Sequence, residues 1–156
     1  MEILDAVAAW PGAVLLRSSS LAYLLANAAH ILSIALLIGP VITLDLKLMG
    51  RFANVPLAPL HHALTRMGMT GFCGAIVTGL ALFSVRPAEY AQNPAFLAKL
   101  ALIALAAANL LILTRIPSWP EARSGGHASA AVKLSAFVSL LLWLAIVIAG
   151  RWIGFV

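Results

Sequence analysis

Long apolar stretches alternate with short polar connections along this chain. Four apolar runs follow one another: Leu21–Leu44, Met67–Val85, Ala95–Leu113 and Leu134–Ala149. Each is close to the roughly 20 residues that a helix needs to cross the hydrocarbon core of a bilayer. The pattern predicts an all-α, integral membrane four-helix bundle, a single domain over 1–156 with spans at about 20–48, 62–85, 94–115 and 129–153. Before the first run, residues 2–16 alternate apolar and acidic positions, with a break at Trp10-Pro11-Gly12. They predict a short amphipathic helix lying at the membrane interface and anchored there by Trp10.

Local signals place the ends of the spans. One of Ser18, Ser19 and Ser20 can cap the first span by accepting from its free backbone N–H groups. Gly39-Pro40 falls inside that helix and predicts a kink, because Pro40 lacks an N–H and crowds the carbonyl of Leu36. Asn54-Val55-Pro56 and Pro59 read as the first tight connection, with the second helix starting near His61 and ending before Pro87. Asn93-Pro94 reads as an N-cap followed by proline at the first helical position. Pro117, Pro120 and Gly125-Gly126 mark the longest loop, 116–127, before a last helix from about Ser129 to Ile153.

Composition agrees with the pattern. Of 156 residues, 63% are hydrophobic and 10% charged, against about 25% charged in a soluble domain. Mean hydropathy is +1.03 and the pI is near 10.2. The ten Lys and Arg are scattered, with no basic block, so they fit membrane edges rather than nucleic acid. The single Cys73 excludes an internal disulfide and a cysteine-based zinc site, and its place in an apolar helix predicts a small packing residue. Glu2 and Asp5 stand where a cleaved signal would be positive, so no signal peptide is expected.

Call the membrane face at the start of the first span side one. Arg17, Arg86, Lys99 and Arg151 belong to side one; Lys47, Arg51, Arg66, Arg115, Arg123 and Lys133 belong to side two. This bias predicts side two, with its 51–60 and 116–127 loops, in the cytoplasm and both termini outside it.

The candidate chemistry is sparse. His30 lies about nine residues into the first apolar run, and an ionisable side chain at that depth marks a functional position by default. Tyr23, Asn27 and His30 share one helix face, with Ser33 beside it. His30 can ligate haem iron, serve a proton or ion path, or hydrogen-bond another helix as a structural residue. In the second span Gly71, Ala75 and Gly79 form a small-residue ladder, flanked by Gly68 and Thr78, that admits another backbone or a flat macrocycle. At 1.5 Å per residue His30 lies about 14 Å below side one and Thr78 about 10 Å, so the two are at comparable depth. Lys99 and Arg86 near side one can meet the propionates of a haem or snorkel to lipid phosphates. Asn109 reads as an interhelical hydrogen-bonding residue, and Asp45 with Arg66 as an ion pair between adjacent helices. His61, His62 and His127 fall at side two, about a membrane thickness from His30, and read as surface histidines. No hydrolase nucleophile constellation, phosphate loop or metalloprotease motif is present.

The segment Tyr23-Leu-Leu-Ala-Asn27-Ala-Ala-His30, followed by Asp45-Leu-Lys47-Leu-Met-Gly50, resembles a family of small bacterial four-span membrane proteins of unknown function. The likeness continues through Thr78-Gly79-Leu-Ala-Leu-Phe83, Asn93-Pro94-Ala-Phe96-Leu-Ala-Lys99, Asn109 and Ala149-Gly150-Arg151-Trp152-Ile153. Such proteins look distantly like four-helix membrane cytochromes of the b561 and copper-resistance D type, whose paired histidines ligate haem b. The resemblance implies a bacterial inner-membrane protein that binds haem b and transfers electrons with a redox partner protein. His30 would be the axial ligand, the Gly71, Ala75, Thr78 and Gly79 face would pack the ring, and Lys99 or Arg86 would hold its propionates. Only one histidine stands at a suitable depth, so the iron would be five-coordinate or would take His30 from a second copy. Ala22, Ala26 and Ala29 would permit such a homo-oligomer. The other reading is a non-catalytic subunit or a solute or ion pathway component without haem.

Overall fold

The computed structural model describes residues 2–52 and 55–156; Asn54, read as part of the first connection, lies outside them. Two short helices, α1 (Glu2–Ala9) and α2 (Pro11–Ser18), precede the long α3 (Ser20–Leu48) and α4 (Leu57–Phe83). Then come α5 (Pro87–Gln92), α6 (Pro94–Arg115), α7 (Trp119–Arg123) and α8 (Ala130–Trp152), with a closing 3₁₀ turn at Ile153–Phe155. Helices α3, α4, α6 and α8 are long and apolar enough to cross a membrane. The fold is all-α with the four spans read from the sequence, the build of a multi-pass membrane protein. Long side chains such as Leu32, Val77, Leu111 and Ile148, each more than 60% exposed, give these helices an apolar outer surface suited to acyl chains.

The caps fall where short polar side chains precede apolar runs. Ser19 Oγ accepts from Ala22 N at 3.3 Å and Asn93 Oδ1 from Phe96 N at 3.0 Å. Ser129 Oγ accepts from Val132 N at 3.4 Å, so each cap occupies a backbone donor that the helix itself leaves free. Helix α4 starts at Leu57, four residues before the expected His61. Pro59 is tolerated in its first turn, because the N–H that proline lacks would have no partner there. The N-terminal segment is two helices rather than one, since Pro11 opens a new helix after Trp10. Trp10 anchors to protein: its indole Nε1 donates to Ser84 Oγ at 2.9 Å. Arg17 ties the same segment down, donating to Ala8 O at 2.6 Å and Val85 O at 3.2 Å. Helix α3 runs on through Pro40.

The spans pack in the order α4, α3, α8, α6. Helix α3 packs extensively on α4 and on α8, and α6 packs on α8. Helices α4 and α6 do not pack along their lengths. Aromatic contacts near their ends close that seam. Phe83 stacks on Phe96 at 5.5 Å at side one, and His61 meets Trp119 of α7 at 5.8 Å at side two. A hydrophobic cluster of Leu48, Leu57, Leu113, Ala122, Val132 and Ala136 joins α3, α4, α6, α7 and α8 at the side-two end.

Candidate functional site

Three spans contribute polar residues to one region in the side-one half, and α8 adds a glycine beside them. His30 of α3 is half-buried and its Nδ1 lies 2.8 Å from Thr78 Oγ1 of α4. Thr78 Oγ1 also donates to Gly74 O, one helical turn back, at 2.6 Å. A threonine hydroxyl has a single proton. With that proton on the Gly74 carbonyl, Thr78 Oγ1 accepts from His30 Nδ1–H, and the neutral imidazole keeps its free lone pair on Nε2. The hydrogen bond that fixes a ring's tautomer in this way is the usual support of a ligating histidine.

Glycines set the approach. A Cβ at Gly79 would lie 3.2 Å from His30 Cε1, so this glycine makes room for the imidazole. A Cβ at Gly74 would strike the Ser33 hydroxyl, 2.6 Å away. One at Gly71 would collide with the backbone nitrogen of Leu37 and lie 2.8 Å from Ser33 O. At Gly71 the ladder is filled by the α3 backbone and leaves no slot for a flat ring. Ala75, Thr78 and Gly79, one to two turns further on, border His30.

Lys99 of α6 reaches the same region. It is partly buried, its stem lies over Gly150 of α8, and a Cβ there would sit 3.6 Å from Nζ. Its ammonium is close enough to His30 for the two to interact electrostatically. Among the described residues the only ion pair is Arg86–Glu89, at 3.3 Å, so Lys99 has no carboxylate partner there. Arg86 is exposed and engaged by Glu89. Asn27 is exposed on α3 and makes no side-chain hydrogen bond among the described residues.

Tyr23 points elsewhere than its helix position suggested. Its hydroxyl is within hydrogen-bonding reach of Tyr90 in α5. Burial, then the neighbouring Tyr23, pushes the Tyr90 phenol above its ordinary value, so it stays neutral. Tyr90 lies 6.2 Å from Phe83 and 5.7 Å from Phe96, completing a three-ring cluster over the side-one end of the α4–α6 seam. Sequence reasoning missed Tyr90, Phe83, Phe96, Gly74 and Gly150. A usable signal for the rings was their place at a membrane edge, where aromatic side chains concentrate.

Elsewhere Asn109 Nδ2 donates to Ser135 O at 3.0 Å and Ser135 Oγ to Asn109 Oδ1 at 3.2 Å, the expected interhelical bond, here between α6 and α8. The Asp45–Arg66 ion pair does not form. Asp45 is buried at 5% exposure with Ser139 of α8 as its hydrogen-bonding neighbour, while Arg66 turns outward on α4. Cys73 is exposed, not packed. Among the described residues no three His, Cys, Asp or Glu side chains gather as a metal site.

Comparison with curated proteins found no match, and comparison with solved structures found none. A family model does match, over residues 17–156, nearly the whole chain and all four spans. The chain belongs to the family of unknown function DUF6644.

Proposed function

We propose that this chain is a haem b-binding membrane protein with a redox, electron-transfer role, in which His30 would hold the iron through Nε2. The observation that carries the reading is the relay Gly74 O, Thr78 Oγ1, His30 Nδ1, which orients the ring and, in its Nδ1–H tautomer, directs the Nε2 lone pair to a ligand. A porphyrin supplies four nitrogens of its own, so one imidazole fits where the described residues form no cluster of protein ligands. Bound at this position, the haem would supply one-electron chemistry at its iron.

The chain's own residues have separate tasks in this reading. Thr78 orients the imidazole and fixes its tautomer. Lys99, without a carboxylate partner among the described residues, offers a cation to a propionate. Phe83, Tyr90 and Phe96 cover the side-one end against water. The seam between α4 and α6, where the backbones stay apart, gives a planar group a lateral way in.

The electrostatic contact of Lys99 with His30 favours a second reading, an ion or proton pathway component without haem. An absorption spectrum of the full chain in detergent, titrated with haem b, separates the two. The expected outcome is a saturable Soret band that His30→Ala abolishes and His61→Ala leaves in place. A colourless, well-folded protein that takes up no haem refutes the first reading.

A further inference from the structure

At the opposite face from His30, the start of α4 and the short α7 border an open pocket of about 570 Å³. Its lining includes His61, His62, Thr65, Arg66, Arg123 and Ser124. We propose that this pocket binds a phosphate group, supplied either by the headgroup of an anionic lipid or by free phosphate.

The chemistry of the lining carries the inference. Two arginines, two histidines, Thr65 and Ser124 line it together, and no acidic side chain does. Glu121, the nearest carboxylate along α7, turns away: a Cβ at Gly126 would lie 2.7 Å from its Cγ and 3.2 Å from Oε1. Among the described residues these cations share the pocket with no carboxylate in its lining. Arg123 and His62 both act electrostatically on His61, and His62 and Arg66 are one helical turn apart on the same face of α4. Cations at that spacing repel, and an anion between them converts the repulsion into charge-assisted hydrogen bonds. Arginine forks match phosphate oxygens in particular. The positive end of the 27-residue α4 lies at the same pocket through Ala58 and adds to the attraction.

The position suits a headgroup. Arg66 lies about nine residues from the start of α4, about 14 Å at 1.5 Å per residue, while His61 and His62 lie nearer the water. His61 also rests against Trp119 at 5.8 Å, which fixes one wall of the pocket. Basic pockets at membrane edges commonly hold lipid phosphates.

The test uses the full chain in phosphatidylcholine nanodiscs with or without phosphatidylglycerol, and native mass spectrometry to count retained lipids. The wild type should retain phosphatidylglycerol over phosphatidylcholine. Arg66→Gln/Arg123→Gln should weaken that retention about tenfold, while Arg51→Gln/Arg115→Gln, the same loss of two charges elsewhere on side two, should not. Should the pocket double variant lose its helical circular dichroism, Arg123→Gln on exposed α7 carries the test alone. A second arm titrates inorganic phosphate into detergent-solubilised protein, followed by phosphorus NMR line width. Binding there that the arginine variants abolish, without lipid preference, identifies free phosphate as the source. Binding of neither probe, or equal loss in Arg51→Gln/Arg115→Gln, overturns the proposal.

Discussion

Helix α4 has two seams, and they are built in opposite ways. Toward α3 it presents Gly68, Gly71, Gly74 and Gly79, and the α3 backbone, Ser33 and His30 occupy the space those residues leave. Toward α6 it presents Phe83, whose ring stacks on Phe96 while the backbones stay apart. In lipid there is no hydrophobic drive between helices, so close approach must come from packing and hydrogen bonds. Small residues supply both on the first seam, because they let Thr78 come within 2.8 Å of the imidazole. Bulky rings on the second seam act as spacers. His30 lies in the tight seam, and Lys99 of α6, lying by Gly150 of α8, is near enough to act on it electrostatically.

The sharpest way to break this contrast is to fill the tight seam. Gly71→Leu should destabilise the folded protein by about 3 kcal/mol, because the new side chain would enter the α3 backbone at Leu37. Gly39→Ala is the matched control: its Cβ would meet nothing within 4 Å, and alanine favours the helix. Unfolding in detergent mixtures, followed by circular dichroism, measures both. Equal effects would mean that close approach at Gly71 contributes nothing special.

The open seam should respond more weakly. Phe96→Ala removes the stack with Phe83 and the contact with Tyr90, a loss of about 1 kcal/mol in the same measurement. A loss as large as that of Gly71→Leu would show the rings to be a main source of cohesion rather than spacers.

Much of this was legible in the sequence, and the rest was not, for physical reasons. Ser19, Asn93 and Ser129 announce helix starts because a short oxygen ahead of an apolar run has one obvious local use. Asn109 reads as an interhelical group because lipid offers its amide no partner. Depth counting placed His30 and Thr78 at comparable levels, and the structure bonds them. Helices α5 and α7 were read as loops, since each is short and begins at or beside a proline. Depth counting also could not say which way a side chain turns. Asp45 and Arg66 both fall near side two, yet Asp45 points inward toward α8 and Arg66 outward. Asn27 shares a helix stripe with His30 but faces out, because α4 and α8 cover only part of the α3 surface.

The smallest expected effect is the most informative about the site. Thr78→Val keeps the shape of the side chain and removes the oxygen that holds His30 Nδ1–H. Interhelical hydrogen bonds in membranes average about 0.6 kcal/mol, so the global stability should scarcely move. The ring itself should respond. Without its acceptor the imidazole has no reason to keep its proton on Nδ1, and the other neutral tautomer becomes accessible. Nitrogen NMR of His30 in the labelled, full-length protein reads this directly, as a shift of the protonated nitrogen from Nδ1 toward Nε2. A spectrum unchanged from wild type would mean that Thr78 only fills space and that the orientation of His30 is set by the walls around it, Gly79 foremost. A large loss of stability with the tautomer intact would make this contact part of the cohesion of the α3–α4 seam and not the means by which the ring is prepared for a ligand.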